Sequence, residues 1–138
     1  MAIHFFTEGI HFQLPRPRKT SSWIKNLIKK EKKKLFALAF IFSSDEYLLS
    51  LNIQYLQHKT LTDIITFDYS EGSKSINGEV YISIDRVRDN ALKFKKPFDE
   101  ELHRVIIHGV LHLIGYNVKA ASEKIIMREK EEAYLSLR

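Results

Sequence analysis

The segment from about Asp99 to Ile114 constrains the fold most, because as a helix it is apolar on almost every side. At about 100° per residue, its apolar side chains fall on two opposite sides of the helix. One side carries Leu102, Val105, Ile106, Gly109 and Leu113, and the other carries Ile107, Leu111 and Ile114. A helix of this kind is buried within a protein, so the rest of the chain is expected to pack around it.

Two glycines in and after this helix extend the prediction. Gly109 lies within the apolar stripe, where glycine costs about 1 kcal/mol relative to alanine, which indicates that another element packs closely there. Gly115 follows the last apolar turn, a position typical of a residue that ends a helix with left-handed backbone.

The remaining hydrophobic pattern predicts one α+β domain over residues 1–138, in which helices pack on a small sheet. Leu35 to Phe42 is apolar at every position, which favours a strand buried on both faces, although a buried helix turn has the same pattern. The other predicted strands are 3–6 and a hairpin of 64–69 with 79–84, joined by a turn over 71–78. Further helices are predicted from Thr20, Ser21 or Ser22 to about Lys34, from a capping box at Ser43–Glu46 through Tyr55, from an Asp85 cap to about Phe94, and from about Ser122 to Leu135.

The composition excludes several classes of protein. Hydrophobic residues make up 44% of the 138, which is enough for a packed core and unlike a disordered chain. The chain has no cysteine, which rules out disulfide scaffolds, iron–sulfur clusters, cysteine zinc sites and thiol nucleophiles. No apolar run approaches the ~18 residues of a membrane span and no signal-peptide pattern is present, so we expect a cytoplasmic protein without a membrane partner.

Basic residues are concentrated at the start of the chain. Residues 1–34 contain nine Lys or Arg and two acidic residues, whereas residues 35–138 contain thirteen and fifteen. This local excess favours a polyanionic partner, nucleic acid ahead of an anionic membrane, although a solvated helix face has the same composition. The candidate residues for binding such a partner are Arg16, Arg18, Lys19, Lys25, Lys29, Lys32 and Lys33. Aromatic residues of the same region could stack on bases or belong to the core: Phe5, Phe6, Phe12 and Trp23.

His108 and His112 lie on the apolar helix at the spacing i, i+4, which places both imidazoles on one edge, about 40° apart. Two neutral imidazoles in this arrangement can bind one zinc-class cation, and the alternative is two separately hydrogen-bonded histidines. Because the helix has few other polar groups, two buried imidazoles would each need a partner. The sharp turn expected at Gly115 would bring a third ligand back toward them.

A metalloprotease is the least favoured interpretation of this pair. It requires a glutamate directly after the first histidine as general base, and that position is Gly109. His103 is no substitute ligand, because it lies about 140° around the helix from His108.

Several blocks of the sequence resemble the YbeY family of endoribonucleases, the rRNA maturation factors. Residues 108–116, His-Gly-Val-Leu-His-Leu-Ile-Gly-Tyr, are similar to the family signature His-Gly-x-Leu-His-Leu-x-Gly-Tyr-Asp-His. Four further blocks occur in family order and spacing: Leu51-Asn-x-x-Tyr55, Thr62-Asp-Ile-Ile-Thr-Phe67, Gly78-Glu-Val-Tyr-Ile-Ser83 and Met127-x-x-x-Glu131. The resemblance covers residues 45–132 firmly, and the N-terminal region by length and element order.

The resemblance implies both a fold and a site. The fold is a single mostly parallel sheet of about four strands with an antiparallel edge strand, about five helices, and a metal cleft at the helix that carries the histidines. The site is one zinc ion per chain, with His108 and His112 as metal-binding and catalytic residues. By analogy, the metal would polarise a phosphoryl oxygen and lower the pKa of an attacking water.

The resemblance also implies a substrate and partners, and it selects RNA over a membrane. The implied activity is cleavage of single-stranded RNA in maturation of the small-subunit rRNA 3′ end and in ribosome quality control. The implied partners are rRNA, the small ribosomal subunit, one of its proteins and a ribosome-assembly GTPase. Thr62 and Asp63 resemble family residues near the site, and a role in stabilising the local turn explains them equally well.

Two positions depart from the family pattern, and both affect the chemistry rather than the fold. The family's third histidine falls at Val118, which cannot ligate a metal, and Asn117 replaces the usual aspartate. Glu123, near the start of the last helix, is our candidate third ligand. The family often has an arginine, suited to holding a phosphate, at the position of Leu56, and His58 would replace its charge only when protonated.

Two functions therefore remain open. The first is a metal-dependent endoribonuclease that uses His108 and His112. The second is a ribosome-associated, RNA-binding assembly factor with weak or no catalysis, motivated by Val118 and Leu56.

Overall fold

A computed structural model describes residues 2–56, 62–72 and 74–138. Its strands are β1 (Ile3–Glu8), β2 (Lys34–Ser43), β3 (Ile64–Asp68) and β4 (Ser75–Ser83). Its helices are α1 (Pro17–Lys30), α2 (Asp45–Leu56), α3 (Ile84–Lys93), α4 (Phe98–Ile114) and α5 (Ala121–Leu135). None of the helices in these ranges is long and apolar enough to cross a membrane.

The strands form one sheet in the order β1-β2-β4-β3. β2 pairs in parallel with β1 and β4, whereas β3 runs antiparallel to β4 at the edge. The predicted α+β fold, with a mostly parallel sheet and one antiparallel edge strand, is confirmed. The predicted hairpin is also confirmed, but β4 begins at Ser75, so part of the expected turn over 71–78 is strand.

The core lies between the sheet and α4, as the apolar pattern of that helix predicts. Seven apolar side chains of α4 are at most 7% exposed: Leu102, Val105, Ile106, Ile107, Val110, Leu111 and Leu113. A Cβ added at Gly109 would lie 2.8 Å from Val80 Cγ1 and 2.9 Å from Ile64 Cδ1, so this glycine lets α4 approach β3 and β4. Gly115 ends the helix with φ 128°, which is the predicted left-handed backbone.

The prediction that β2 is buried on both faces holds only for its second half. Phe36 is 71% exposed, whereas Leu38, Phe40 and Phe42 are at most 1% exposed. The reason is the register, because β1 pairs with β2 only from Leu38 onward and leaves the start of β2 at an open corner of the sheet.

Helix α1 differs from its prediction at both ends. It begins at Pro17 rather than at residues 20–22, since proline in the first turn has a backbone angle already suited to a helix. It ends at Lys30 rather than about Lys34, because Lys32 has φ 60° and turns the chain into β2.

The cap of α2 lies one residue later than predicted. Ser44 Oγ accepts a hydrogen bond from the Tyr47 N–H at 3.2 Å, so Ser44 and not Ser43 caps this helix. Ser43 is fully buried, and its Oγ donates to the Ile82 carbonyl at 3.3 Å.

The cap of α3 is Ser83, whose Oγ accepts the Arg86 N–H at 3.1 Å, rather than the predicted Asp85. The Asp85 carboxylate instead accepts the Asp45 N–H at 2.8 Å, at the first residue of α2. This contact joins the beginnings of α2 and α3 at one end of the sheet.

Candidate active site

The two histidines lie in the second half of α4, on an edge of the helix that opens to solvent. The His108 side chain is 24% exposed, and His112 in the last turn is an exposed residue. The expectation that both imidazoles are buried is therefore wrong. The buried apolar residues of α4 face the core, and the edge that carries these two histidines lies at the rim of the core.

Glu131 of α5 holds the ring of His108. The Glu131 carboxylate is 7% exposed, and its Oε2 lies 2.7 Å from His108 Nδ1. An ionised carboxylate only accepts hydrogen bonds, so Nδ1 carries the proton. The Nε2 atom of His108 is then the acceptor, and it has no protein partner among the residues that the structure describes.

Arg104 neutralises the buried acids around this contact. It lies one turn before His108, and its Nε and Nη2 atoms donate to the two oxygens of Glu101 at 2.9 and 2.7 Å. Its Nη1 atom donates to Glu131 at 3.3 Å. The hydrogen bonds with Glu101 raise the pKa of the Arg104 guanidinium, and its permanent charge offsets the cost of burying two carboxylates.

His112 is kept in its neutral form. Partial burial lowers the pKa of this imidazole, the neighbouring His108 lowers it further, and the carboxylate of Asp68 in β3 acts in the opposite direction. Neither ring nitrogen has a hydrogen-bond partner in the described part of the chain. A neutral imidazole with a free nitrogen is the form that binds a metal ion or accepts a proton.

The positions considered for a third ligand lie on either side of the start of α5. Val118 is half-buried and lines the same groove as His108. Glu123 lies in the first turn of α5, where its Oε1 accepts the Ala120 N–H at 2.9 Å. Within residues 2–56, 62–72 and 74–138, no three His, Asp or Glu residues are grouped in a way that could hold a metal ion.

The turn that follows α4 is tied to two other helices through Glu31, at the end of α1. Its carboxylate accepts hydrogen bonds from the Tyr116 hydroxyl at 2.6 Å, from Lys130 Nζ at 3.1 Å and from the Tyr134 hydroxyl. Burial alone would raise the pKa of Glu31, but these three donors lower it below its ordinary value. Glu31 therefore positions the segment immediately beyond His112.

The candidate polyanion-binding residues lie apart from the histidines. Arg16, Arg18, Lys19, Lys25, Lys29 and Lys32 are exposed on α1 and its ends, and Lys33 is half-buried. Arg16 and Lys19 line a cavity of about 450 Å³ near Trp23 and His103, at the opposite end of α4 from His112. None of the seven lines the groove that contains His108.

The N-terminal aromatic residues are divided between core and surface. Trp23 is 6% exposed and donates its indole N–H to the Tyr134 carbonyl at 2.8 Å. Phe5 stacks on Phe40, and Phe12 packs edge-on against Phe42. These three aromatic residues therefore belong to the core, whereas Phe6 is 53% exposed.

The region of the second family departure is only partly described. Leu56, at the end of α2, is 46% exposed. His58 lies outside the described residues. Asp63 is described, and its Oδ2 lies 3.9 Å from Arg104 Nη2 and 3.4 Å from the Asn90 amide, so its side chain contacts the acid–arginine network of α4 and an amide of α3.

Sequence reasoning did not assign a role to Glu131 or Arg104. The signal for Glu131 was its place between Met127 and Tyr134 on one buried face of α5, because a carboxylate on such a face needs a partner. The signal for Arg104 was its i, i+4 spacing to His108 on α4.

The fold and the site together place the chain among small α+β proteins with a mostly parallel sheet. Its site has one imidazole hydrogen-bonded to a carboxylate, next to a second imidazole without such a partner in the described ranges. The sequence profile described as Endoribonuclease YbeY matches residues 9–137. The chain belongs to the YbeY family.

Individual relatives agree with this assignment over nearly the whole chain. A protein of Amoebophilus asiaticus named Endoribonuclease YbeY is 51% identical over 133 residues, which is 96% of this chain and 90% of the relative. A protein of the same name from Bacteroides thetaiotaomicron is 48% identical over the full length of both chains. The solution structure of a Thermotoga maritima protein superposes with a TM-score of 0.69 at 29% identity, covering 97% of this chain and 87% of that one.

Proposed function

We propose that this chain is an endoribonuclease that cleaves single-stranded RNA, with His108 and His112 as its catalytic residues. The observation that supports this proposal most is the Glu131–His108 contact beside the free imidazole of His112. A carboxylate on Nδ1 fixes the tautomer of a histidine and points Nε2 away from the carboxylate, a common arrangement in metal and acid–base sites. Membership of the YbeY family supplies the substrate class.

The donor set of this chain fits a divalent cation held by two imidazoles, His108 and His112, and we propose zinc at one per chain. The fit rests on the free ring nitrogens at i, i+4 spacing and on the carboxylate behind His108. Glu123 is the protein group that we propose as a third ligand, and otherwise water and substrate oxygens fill the remaining positions. Such a cation supplies a Lewis acid for a phosphoryl oxygen and a water of lowered pKa.

The protein's own residues contribute position and charge. Glu131 keeps the proton of His108 on Nδ1, and Arg104 holds the Glu131 carboxylate in place. Glu31 anchors Tyr116 and so holds the turn after His112. The cations of α1 and its two ends are proposed to hold the RNA backbone without choosing a sequence: Arg16, Arg18, Lys19, Lys25, Lys29, Lys32 and Lys33.

The proposed biological substrate is rRNA of the small ribosomal subunit, cleaved near its 3′ end during maturation and in ribosome quality control. We propose that the enzyme works in the cytoplasm beside a small-subunit ribosomal protein and a ribosome-assembly GTPase. The family assignment and the basic N-terminal region support this proposal.

The direct test is cleavage of a single-stranded oligoribonucleotide carrying the small-subunit rRNA 3′-end sequence by the purified chain. We expect cleavage that EDTA abolishes, that His112→Ala abolishes and that His103→Ala retains, since His103 lies elsewhere on the same helix and pairs with Arg138. Equal cleavage by wild type and His112→Ala would reject the assignment.

The second candidate function is an RNA-binding assembly factor with weak or no catalysis. Val118 and Leu56 favour it, because both replace family residues that would contact metal or phosphate. It predicts salt-sensitive RNA binding that survives loss of both histidines.

A further inference from the structure

A groove between α4 and α5 opens directly beside His108. Its volume is about 780 Å³, and His108, Arg104 and Glu131 form one wall. The floor is apolar, with Val118, Met127 and Leu135. The groove therefore extends along the surface of the protein from His108, one of the two proposed catalytic residues, and it has both charged and apolar lining.

Two cations of this groove lack acidic partners. The guanidinium of Arg104 is taken up by Glu101 and Glu131, and Lys96 lies 3.6 Å from Glu100. Lys124 and Arg128 also line the groove, both are exposed, and neither forms an ion pair with any described residue. These two side chains are the positive charges of the groove that remain available to a ligand.

The spacing of these cations suits a nucleic acid strand. Lys124 and Arg128 are four residues apart on α5, so they lie on one face and are separated by about 6 Å along the helix axis. Arg128 precedes Glu131 by one turn, which places both cations on the Val118 side of the His108 contact. Glu132, an acidic residue of the same groove, lies one turn after Arg128, toward the C-terminal end of α5, and would repel phosphate there.

We propose that this groove binds the segment of single-stranded RNA that flanks the cleaved bond, with Lys124 and Arg128 on successive phosphates and bases against the apolar floor. The inference rests on the proposed function for the identity of the reaction at His108. It adds a second set of phosphate contacts, separate from the basic residues of α1. These contacts lie in the groove that contains His108, so they position the cleaved strand, whereas α1 provides general attraction.

The test measures binding of a fluorescent single-stranded 2′-O-methyl oligoribonucleotide to the full chain in EDTA, over a range of salt concentrations. Lys124→Gln and Arg128→Gln should each weaken binding and reduce the slope of log affinity against log salt by roughly 0.7, the value for one phosphate contact on a single strand. Lys74→Gln removes one exposed charge outside the groove and is the matched control. Slopes of the two groove variants equal to that of Lys74→Gln would overturn the proposal.

A competition experiment separates RNA from other anions. An oligoglutamate of the same formal charge should displace the RNA poorly, because it has no bases for the apolar floor, and displacement at equal concentration would overturn the assignment to RNA. Cleavage is measured separately on an unmodified strand. If the groove variants lose binding but the wild type does not cleave, the groove proposal is supported and the endoribonuclease proposal is rejected. If the wild type cleaves but the groove variants keep the slope of the Lys74→Gln control, the endoribonuclease proposal is supported and the groove proposal is rejected.

Discussion

Glu131 and His108 are joined by a 2.7 Å hydrogen bond between α5 and α4. The carboxylate is buried, and its second oxygen is occupied by Arg104 at 3.3 Å. Glu131 thus has one oxygen for each partner. Loss of either contact leaves a half-buried or buried polar group without its hydrogen-bond partner. The position of the first histidine therefore depends on the packing of α5.

Glu131→Gln should lower cleavage about 10- to 100-fold, the usual effect of altering a carboxylate behind a ligand histidine. The amide can present its oxygen to only one side, so either His108 or Arg104 meets an N–H donor instead of an acceptor. Initial rates on the single-stranded substrate measure the loss, and ¹⁵N NMR of the His108 ring reports the tautomer.

Glu129→Gln is the control, because Glu129 is exposed on the same helix. It should keep both the wild-type rate and the Nδ1–H tautomer. A wild-type rate in Glu131→Gln would show that the contact has no part in positioning His108.

Val118→His should increase the amount of zinc that remains bound per chain after dialysis. Val118 lines the groove that contains His108, so an imidazole at this position adds a third donor to the pair on α4. Lys119→His places the same side chain one residue later, at an exposed position, and should retain no more metal than wild type.

Equal metal in wild type and Val118→His would mean that another group completes the site. Glu123→Gln then decides whether that group is Glu123. Loss of metal would assign Glu123 as the ligand, and unchanged metal would leave it as the group that accepts the Ala120 N–H at the start of α5.

The fold was predictable from the sequence to the extent that its signals are local. The apolar stripes of α4, the glycine within them and the alternation of β4 follow from the periodicity of helices and strands. The caps of α2 and α3 were misplaced because each has two adjacent or nearly adjacent candidates. Neither Ser43 nor Asp85 caps the helix predicted for it, because each side chain makes a tertiary hydrogen bond instead. Ser43 donates to the Ile82 carbonyl, and Asp85 accepts the Asp45 N–H.

The candidate site shows the same division between local and distant signals. The spacing of His108 and His112 was sufficient to predict that they share one edge of the helix, whereas their selection as candidate metal ligands came from the resemblance to the YbeY family. Glu131 is 23 residues from His108, and its role depends on how α5 packs against α4, which periodicity does not specify. The exposure of His112 was likewise missed, because a helical pattern identifies faces but not the edge at which the core ends.

Glu31→Gln should lower the free energy of unfolding by about 1–3 kcal/mol at pH 7, since three buried or half-buried donors lose an ionised acceptor. The folded-state pKa of Glu31 is below its ordinary value of 4.5. Its stabilising contribution is therefore complete above the pKa of the unfolded chain and is lost as the pH falls through the folded-state pKa.

The measurement is urea unfolding of wild type and Glu31→Gln at several pH values from 7 downward. The difference between them should be constant near neutral pH and should shrink below about pH 4.5, as the wild-type carboxyl becomes protonated. Glu129→Gln should show no such trend, and a Glu31→Gln difference that does not change with pH would contradict the assigned role.

Gly78→Ala should destabilise the protein more than Gly109→Ala. A Cβ at Gly78 would lie 2.5 Å from the Phe67 carbonyl oxygen, so the β3–β4 pairing itself must shift, at a cost of about 3 kcal/mol or more. At Gly109 the added methyl group would meet side chains of Val80 and Ile64, costing about 1–3 kcal/mol, of which about 1 is returned by the helix propensity of alanine.

A double-mutant cycle identifies the contact that opposes alanine at Gly109. In a Val80→Ala background the 2.8 Å contact is gone and only the 2.9 Å contact with the flexible end of Ile64 remains, so Gly109→Ala should become less destabilising in urea unfolding. The single variant should also lower cleavage, because displacing α4 from the sheet changes the His108–Glu131 distance. Equal effects of Gly109→Ala in the two backgrounds would show that Val80 is not the group that requires a glycine beside the first histidine.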